Sequence, residues 1–209
     1  QEVQLPFFTD LFRLVFPNEK LSLLNLSTIG PAIAVSISYP NCAKGQTLAL
    51  STTTEANWVK ELIELVDYIG GDISGDLIQN LREKYPQVDL FKFDIIEDIF
   101  PKADVWHCRH CLFHLSIADI VLALENFCRS DIDQALITNH FLPDSITFDI
   151  LTGSFRPLDL TNYPFYLPRP KAWLLDSTPL SGKLSMATGI WTKAHIQQGV
   201  VNYHKFIKI

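Results

Sequence analysis

The chain has 209 residues, of which 47% are hydrophobic and 19% charged. That balance fits one ordinary globular domain with a sizeable core and argues against a disordered or membrane-spanning chain. Seventeen Lys and Arg against 23 Asp and Glu give a net charge of -6, and the basic residues are scattered without a block, so no nucleic-acid partner is expected.

The apolar run from Ile29 to Ile37 is the longest in the chain. It is broken by Gly30, Pro31 and serine and is too short to cross a bilayer, so no membrane partner is expected. Four cysteines at irregular spacing do not read as a disulfide framework, which favours a reducing compartment and a cytoplasmic location. No leader segment is readable, and the sequence starts at Gln1 rather than Met. Nothing specifies an oligomeric state.

In chain order, Leu5, Phe8, Leu11, Phe12, Val15 and Phe16 recur at helical spacing, and Pro17 ends the pattern. Residues Lys20 to Gly45 read as irregular, with one strand at Ala32 to Ser38. Residues 1–46 thus form an N-terminal helix and irregular segment, ahead of a single globular unit over 47–209. From Thr47 a rhythm begins: a short strand to Leu50, a polar turn Ser51 to Thr54, and a helix from Glu55 with Trp58, Val59, Leu62 and Ile63 on one face.

A second strand runs from Val66 to Asp72, a helix from Asp76 to Tyr85, a third strand from Val88 to Asp94 and a fourth from Asp104 to Arg109. Ser116 and Asp119 form a capping box for the next helix. Gln134 to His140, Ala172 to Leu175 and Met186 to Trp191 are the fifth to seventh strands. Strands alternating with helices predict an α/β, Rossmann-like sheet of seven strands, mostly parallel, with helices on both faces and an antiparallel hairpin at its end.

The densest polar stretch is Asp104-Val-Trp-His-Cys-Arg-His-Cys-Leu-Phe-His-Leu-Ser116, which holds three of the six histidines and two of the four cysteines. Zinc is the first reading of such a cluster, because Cys-x-x-Cys lets two thiolates reach one ion. Cys42 and Cys128 stand alone, however, with no second ligand pair at the right spacing, so no metal is expected.

In an open parallel sheet, ligands bind beyond the carboxyl ends of the strands. Asp72, after Gly70-Gly71, is placed to accept the hydroxyl protons of a ribose, and Asp94 to accept from an exocyclic amine. His140 and Arg156 are candidate contacts to a substrate, Arg156 as the partner of an acidic group. No Ser-His-Asp order, phosphate-binding loop or dinucleotide fingerprint is present.

Tyr68-Ile-Gly-Gly-Asp-Ile-Ser-x-x-Leu-Ile78, Lys84-Tyr-Pro-x-Val88, Phe93-Asp94 and Cys108-Arg-His-Cys-Leu-Phe-His-Leu115 follow one another in the order and spacing of a known family. So do Thr152-Gly-Ser-Phe-Arg-Pro-Leu-Asp-Leu160, Pro164-Phe-Tyr-Leu-Pro168 and Gly189-Ile-Trp191. The chain resembles the class I S-adenosylmethionine-dependent methyltransferases over roughly Thr47 to Ile196. It is most similar to a bacterial-type branch whose fourth strand ends in Cys-Arg-x-x-Leu-Phe-His-Leu.

The resemblance implies transfer of a methyl group from S-adenosylmethionine to an unidentified acceptor. It implies cofactor contacts at Thr53, Thr54, Asp72, Ile73, Asp94, Ile95, Arg109 and His110. His114, the candidate base, and the loop Asp149 to Arg156 would face the acceptor.

The first family motif departs from its pattern. Leu50 stands where an acid is usual, Thr53-Thr54 replace a Cys-Gly pair, and no glycine lies between Gly45 and Gly70. β-Branched threonines resist positive φ and crowd a ligand lying against them. Three readings follow: a modified cofactor turn, a different ligand in the same crevice, or a catalytically inactive domain kept for partner binding or assembly.

Overall fold

The computed structural model describes residues 22–29, 32–37, 67–86, 88–141, 147–175 and 186–207. The chain divides into two compact units, Gln1–Phe93 with Ala103–His107 and Asp94–Lys102 with Cys108–Ile209.

In the first unit, β1 (Ser22–Ile29) and β2 (Ala32–Ile37) pair antiparallel, with Leu26 opposite Val35. Only two residues separate them in sequence, too few for the crossover a parallel return needs. β3 (Asp67–Asp72) runs parallel to β1 and to β4 (Asp89–Lys92). β2 lies antiparallel to β3 and meets β5 (Val105–Cys108) at Ser36 and His107.

Helix α1 (Gly75–Lys84) connects β3 to β4, the crossover that returns the chain for parallel pairing. Its N-cap is Ser74, whose hydroxyl accepts from the Leu77 N–H at 3.3 Å. Arg82 Nε donates to the Leu90 carbonyl at 2.7 Å and ties the helix to β4, over a buried face that includes Ile69, Ile78 and Leu90.

In the second unit, α2 (Ile117–Arg129) opens on Ser116, whose hydroxyl accepts from the Asp119 N–H at 3.1 Å. Ile120, Val121, Leu124 and Phe127 recur at i, i+1, i+4 and i+7 and are all buried. The strands β6 (Gln134–His140), β7 (Trp173–Leu175) and β8 (Met186–Thr192) are antiparallel throughout, with Ile137 opposite Gly189 and Leu174 opposite Thr188. Gly189 is required there: a Cβ would stand 2.3 Å from the Trp191 ring and 3.0 Å from that of Trp173. Helix α3 (Lys193–Ile207) closes the described chain.

These pairings correct the expected fold. The described strands do not form a seven-stranded, mostly parallel sheet of Rossmann type. Among the described pairings, β3 lies parallel to β4 and β1 but antiparallel to β2, while the second unit holds a three-stranded antiparallel sheet. Only three α-helices accompany them among the described residues.

The physical reason is that strand–helix alternation, legible around β3, α1 and β4 and again at α2 before β6, does not continue past β6 among the described residues. No described helix stands between β6 and β7 to return the chain in parallel, and the β1–β2 hairpin adds antiparallel strands where the sequence reads as irregular. The expected helix over Leu5 to Phe16, the strand at Thr47 to Leu50 and the helix from Glu55 lie outside the described residues.

Candidate functional site

Each unit places some of the sequence-predicted residues. In the first, β3 ends at Asp72 immediately before the N-terminus of α1. Asp72 is wholly buried, and its Oδ1 accepts from the Ser74 N–H at 2.7 Å. Its Oδ2 is buried without a partner among the described residues. Burial pushes the carboxyl up from 3.8 to about 7, against the opposing pull of the Ser74 N–H. Its neighbour Ile73 is largely exposed. Thr53 and Thr54 lie outside the described residues.

The second unit holds the remaining candidates. Asp94 is committed to a local turn: its Oδ1 accepts from the Ile96 N–H at 2.8 Å, and its own N–H donates to Asp98 Oδ2 at 2.7 Å. Asn126, buried on α2, donates to the carbonyls of Ile95 and Asp98 at 2.9 and 2.7 Å and so fixes the same turn. Ile95 is buried.

After β5 the chain turns through Arg109, which is buried, and His110, whose φ of 54° is unusual for a residue with a Cβ. The His110 N–H donates to Thr138 Oγ1 at 3.0 Å, which holds the turn against β6. A 3-10 turn, Leu112–His114, follows and buries Phe113.

Phe113 is the centre of this region. Its ring lies 5.8 Å from that of His110, 4.6 Å from His114, 5.1 Å from His140 and 5.5 Å from Phe155. The structure therefore brings together four of the candidates, His110, His114, His140 and Arg156, the last through its N–H donated to the Phe113 carbonyl at 3.2 Å.

The segment Asp149 to Arg156 is fastened along this turn and the start of α2. Gly153 (φ 95°) donates its N–H to the His114 carbonyl at 2.8 Å. Thr152 Oγ1 accepts from the Ser116 N–H at 2.9 Å and donates to Asp119. Asp149 Oδ1 accepts from the Ile117 N–H at 2.7 Å. Orphan donors at the N-terminus of α2 are thus satisfied from a loop more than thirty residues further on.

Two histidines of the cluster hold opposite tautomers. His114 Nδ1 lies 2.7 Å from the Ser154 carbonyl, which can only accept, so the proton sits on Nδ1 and Nε2 keeps its lone pair. At His140, Nδ1 accepts from the Leu158 N–H at 3.2 Å, so the proton sits on Nε2. Burial is the main cause that lowers both pKa values below 6.5, and His110 nearby adds to it in each. Near neutral pH the cluster therefore offers a neutral base at His114 and a neutral donor at His140.

Arg156 is wholly buried, and Nη1 donates to the Leu115 carbonyl at 2.6 Å. Burial lowers its pKa, and Asp149 opposes that effect.

Sequence reasoning missed several residues that build this site. Phe113 and Phe155 set the ring cluster. Asn139 accepts from the Leu160 N–H at 2.7 Å and donates to Asp159 at 3.2 Å, aligning the segment after Arg156 with β6. The legible signal for this network is the buried polar run Thr138-Asn139-His140 at the end of an otherwise apolar strand, since such groups need partners.

Among the described residues, no group of three or more His, Cys, Asp or Glu is placed to hold a metal. Cys108 and Cys111 are buried thiols, and that of Cys108 is pushed up by burial and by Cys111. No helix among the described residues is long and apolar enough to cross a membrane. Set against known proteins, the chain matches no family model, no curated protein and no solved structure.

Proposed function

We propose that the protein is an S-adenosylmethionine-dependent methyltransferase acting on an unidentified acceptor in the cytoplasm. The observation that carries this reading is Asp72. It is a buried carboxylate at a strand end, with one oxygen held by Ser74 and the other without a partner. A ribose hydroxyl donated to Oδ2 would satisfy it, which is the role that the motif order around Asp72 implies.

When bound, the donor supplies a methyl group already activated on a sulfonium, so most of the catalysis is positioning. His114 is suited to take a proton from the acceptor at Nε2, because its Nδ1–H is fixed on the Ser154 carbonyl and its burial keeps the ring neutral. The rings of Phe113 and Phe155 lie 4.6 and 5.8 Å from its own.

A second reading, an inactive domain kept for partner binding or assembly, is favoured by one specific observation besides the altered Thr53-Thr54 motif. Asp94, which the resemblance assigns to the adenine, already serves its own turn.

Calorimetric titration of the full chain with S-adenosylmethionine and S-adenosylhomocysteine separates the two. Micromolar binding of either is the expected result. An absence of heat with both would leave the inactive domain as the reading.

A further inference from the structure

Among the described residues, one edge of Arg156 has nothing to bind. Nε and Nη2 are both buried without a partner, whereas Nη1 and the backbone N–H are satisfied by the carbonyls of Leu115 and Phe113. Nε–H and Nη2–H point the same way along the guanidinium, at the spacing of the two oxygens of one carboxylate. Buried polar groups rarely lack partners, and an unpaired buried charge is among the costliest features a fold can carry.

A second observation points the same way. His140 is also wholly buried, its Nδ1 is filled by the Leu158 N–H, and Nε2, which must hold the proton, has no partner either. Both residues are anchored on Phe113, Arg156 through the Phe113 carbonyl and His140 through ring contact at 5.1 Å.

We infer that the open Nε–Nη2 edge of Arg156, assisted by the Nε2–H of His140, is the binding site for a carboxylate group of the molecule this protein acts on. Calling that molecule the methyl acceptor rests on the methyltransferase reading above; the carboxylate site itself does not. Charge selects a carboxylate over a phosphate. Arg156 supplies one positive charge, the neighbouring His114 and His140 are neutral, and Asp149 and Asp159 act on Arg156 and His140 respectively. With Asp149 and Asp159 already close by, a carboxylate monoanion adds the least further negative charge beside Arg156, whereas a phosphate dianion would add twice as much.

The test is a nuclear magnetic resonance titration of the 15N-labelled full chain with sodium acetate, with sodium phosphate and sodium chloride at matched ionic strength. The Arg156 Nε–H resonance is identified by its loss in Arg156→Lys. Should that variant not fold, the resonance is identified by its through-bond correlation to the assigned Arg156 side chain.

The expected result is a saturating shift of that resonance with acetate and none with chloride or phosphate. No acetate shift, or an equal one with chloride, overturns the site, and an equal shift with phosphate overturns the choice of carboxylate. No methyl donor is present, so the two readings fail separately. Acetate binding without donor binding sinks methyl transfer alone, and donor binding without an acetate shift sinks this site alone.

Discussion

Asp72 and Asp94 look alike in the sequence, one acid after each of two successive strands, yet their surroundings differ. Asp72, in the first unit, is wholly buried, uses one oxygen on Ser74 and keeps the other unpartnered. Asp94, in the second, caps Ile96 and is bracketed by Asp98 and Asn126. The difference is one of cost. Asp94 stabilises its own turn, whereas burial pushes the Asp72 carboxyl up to about 7, so its charged form costs stability where it stands. A residue that costs stability where it stands is a better candidate for function than one that contributes to it.

The largest effect expected from this contrast is at Asp72→Asn. Asparagine keeps the acceptor for the Ser74 N–H but loses the charged one. Donor affinity should therefore fall roughly ten- to a hundred-fold, the scale of one charge-assisted hydrogen bond. Stability should move the opposite way. Because the folded-state pKa is raised, the native chain holds a proton between pH 3.8 and about 7 that the unfolded chain releases. The contribution of this group is therefore fully present below 3.8 and lost as pH rises through about 7.

Asparagine does not titrate, so the variant should gain on the wild type across that window. The gain should reach on the order of 2 kcal/mol above it, about 5 °C in Tm. Calorimetry and thermal unfolding at pH 5 and pH 8 read both quantities. A gain in Tm that is the same at both pH values, or donor affinity that does not change, would break the contrast on its Asp72 side.

A smaller effect is expected at Thr152→Val, which removes the acceptor for the Ser116 N–H and the donor to Asp119. The loop that carries Arg156 and the N-terminus of α2 then lose one shared fastening. A loss of about 1 kcal/mol in denaturant unfolding is expected, the usual worth of a capping interaction. No measurable loss would mean that the bonds made by Asp149, Gly153, Ser154 and Arg156 hold the loop without Thr152.

How much was legible follows from what each element asks of its sequence. The capped helix α2 was readable because Ser116 and Asp119 state its start and its apolar residues keep one face. β6 and β8 were readable as strands, but not as neighbours, because both are buried along nearly their whole length and show no alternation.

Helix α3 was missed because its buried contact is narrow. Only Ile196 and Gly199 are buried within it, and Gly199 is there because a Cβ would meet Leu167 at 2.2 Å. In the candidate site, local sequence pointed to His110, His114, His140 and Arg156. What joins them is long-range: bonds between residues about forty positions apart, such as His114 to Ser154 and Arg156 to Leu115, leave no local trace. The opposite tautomers of His114 and His140 likewise depend on which backbone group reaches each ring.

The smallest effect is expected at Asp94→Ala, and it is the sharper test of the contrast. Alanine removes the acceptor for the Ile96 N–H and the partner of the turn, but Asn126 still donates to the Ile95 and Asp98 carbonyls from α2. The turn should persist at a cost of about 0.5–1 kcal/mol. Donor affinity should stay within about threefold, since threefold is less than the worth of one neutral hydrogen bond. If Asp94→Ala instead weakens the donor as far as Asp72→Asn does, the carboxylate must leave its turn to meet the adenine. The cost of breaking that turn would then be part of the binding free energy, and the two acids would be equivalent after all.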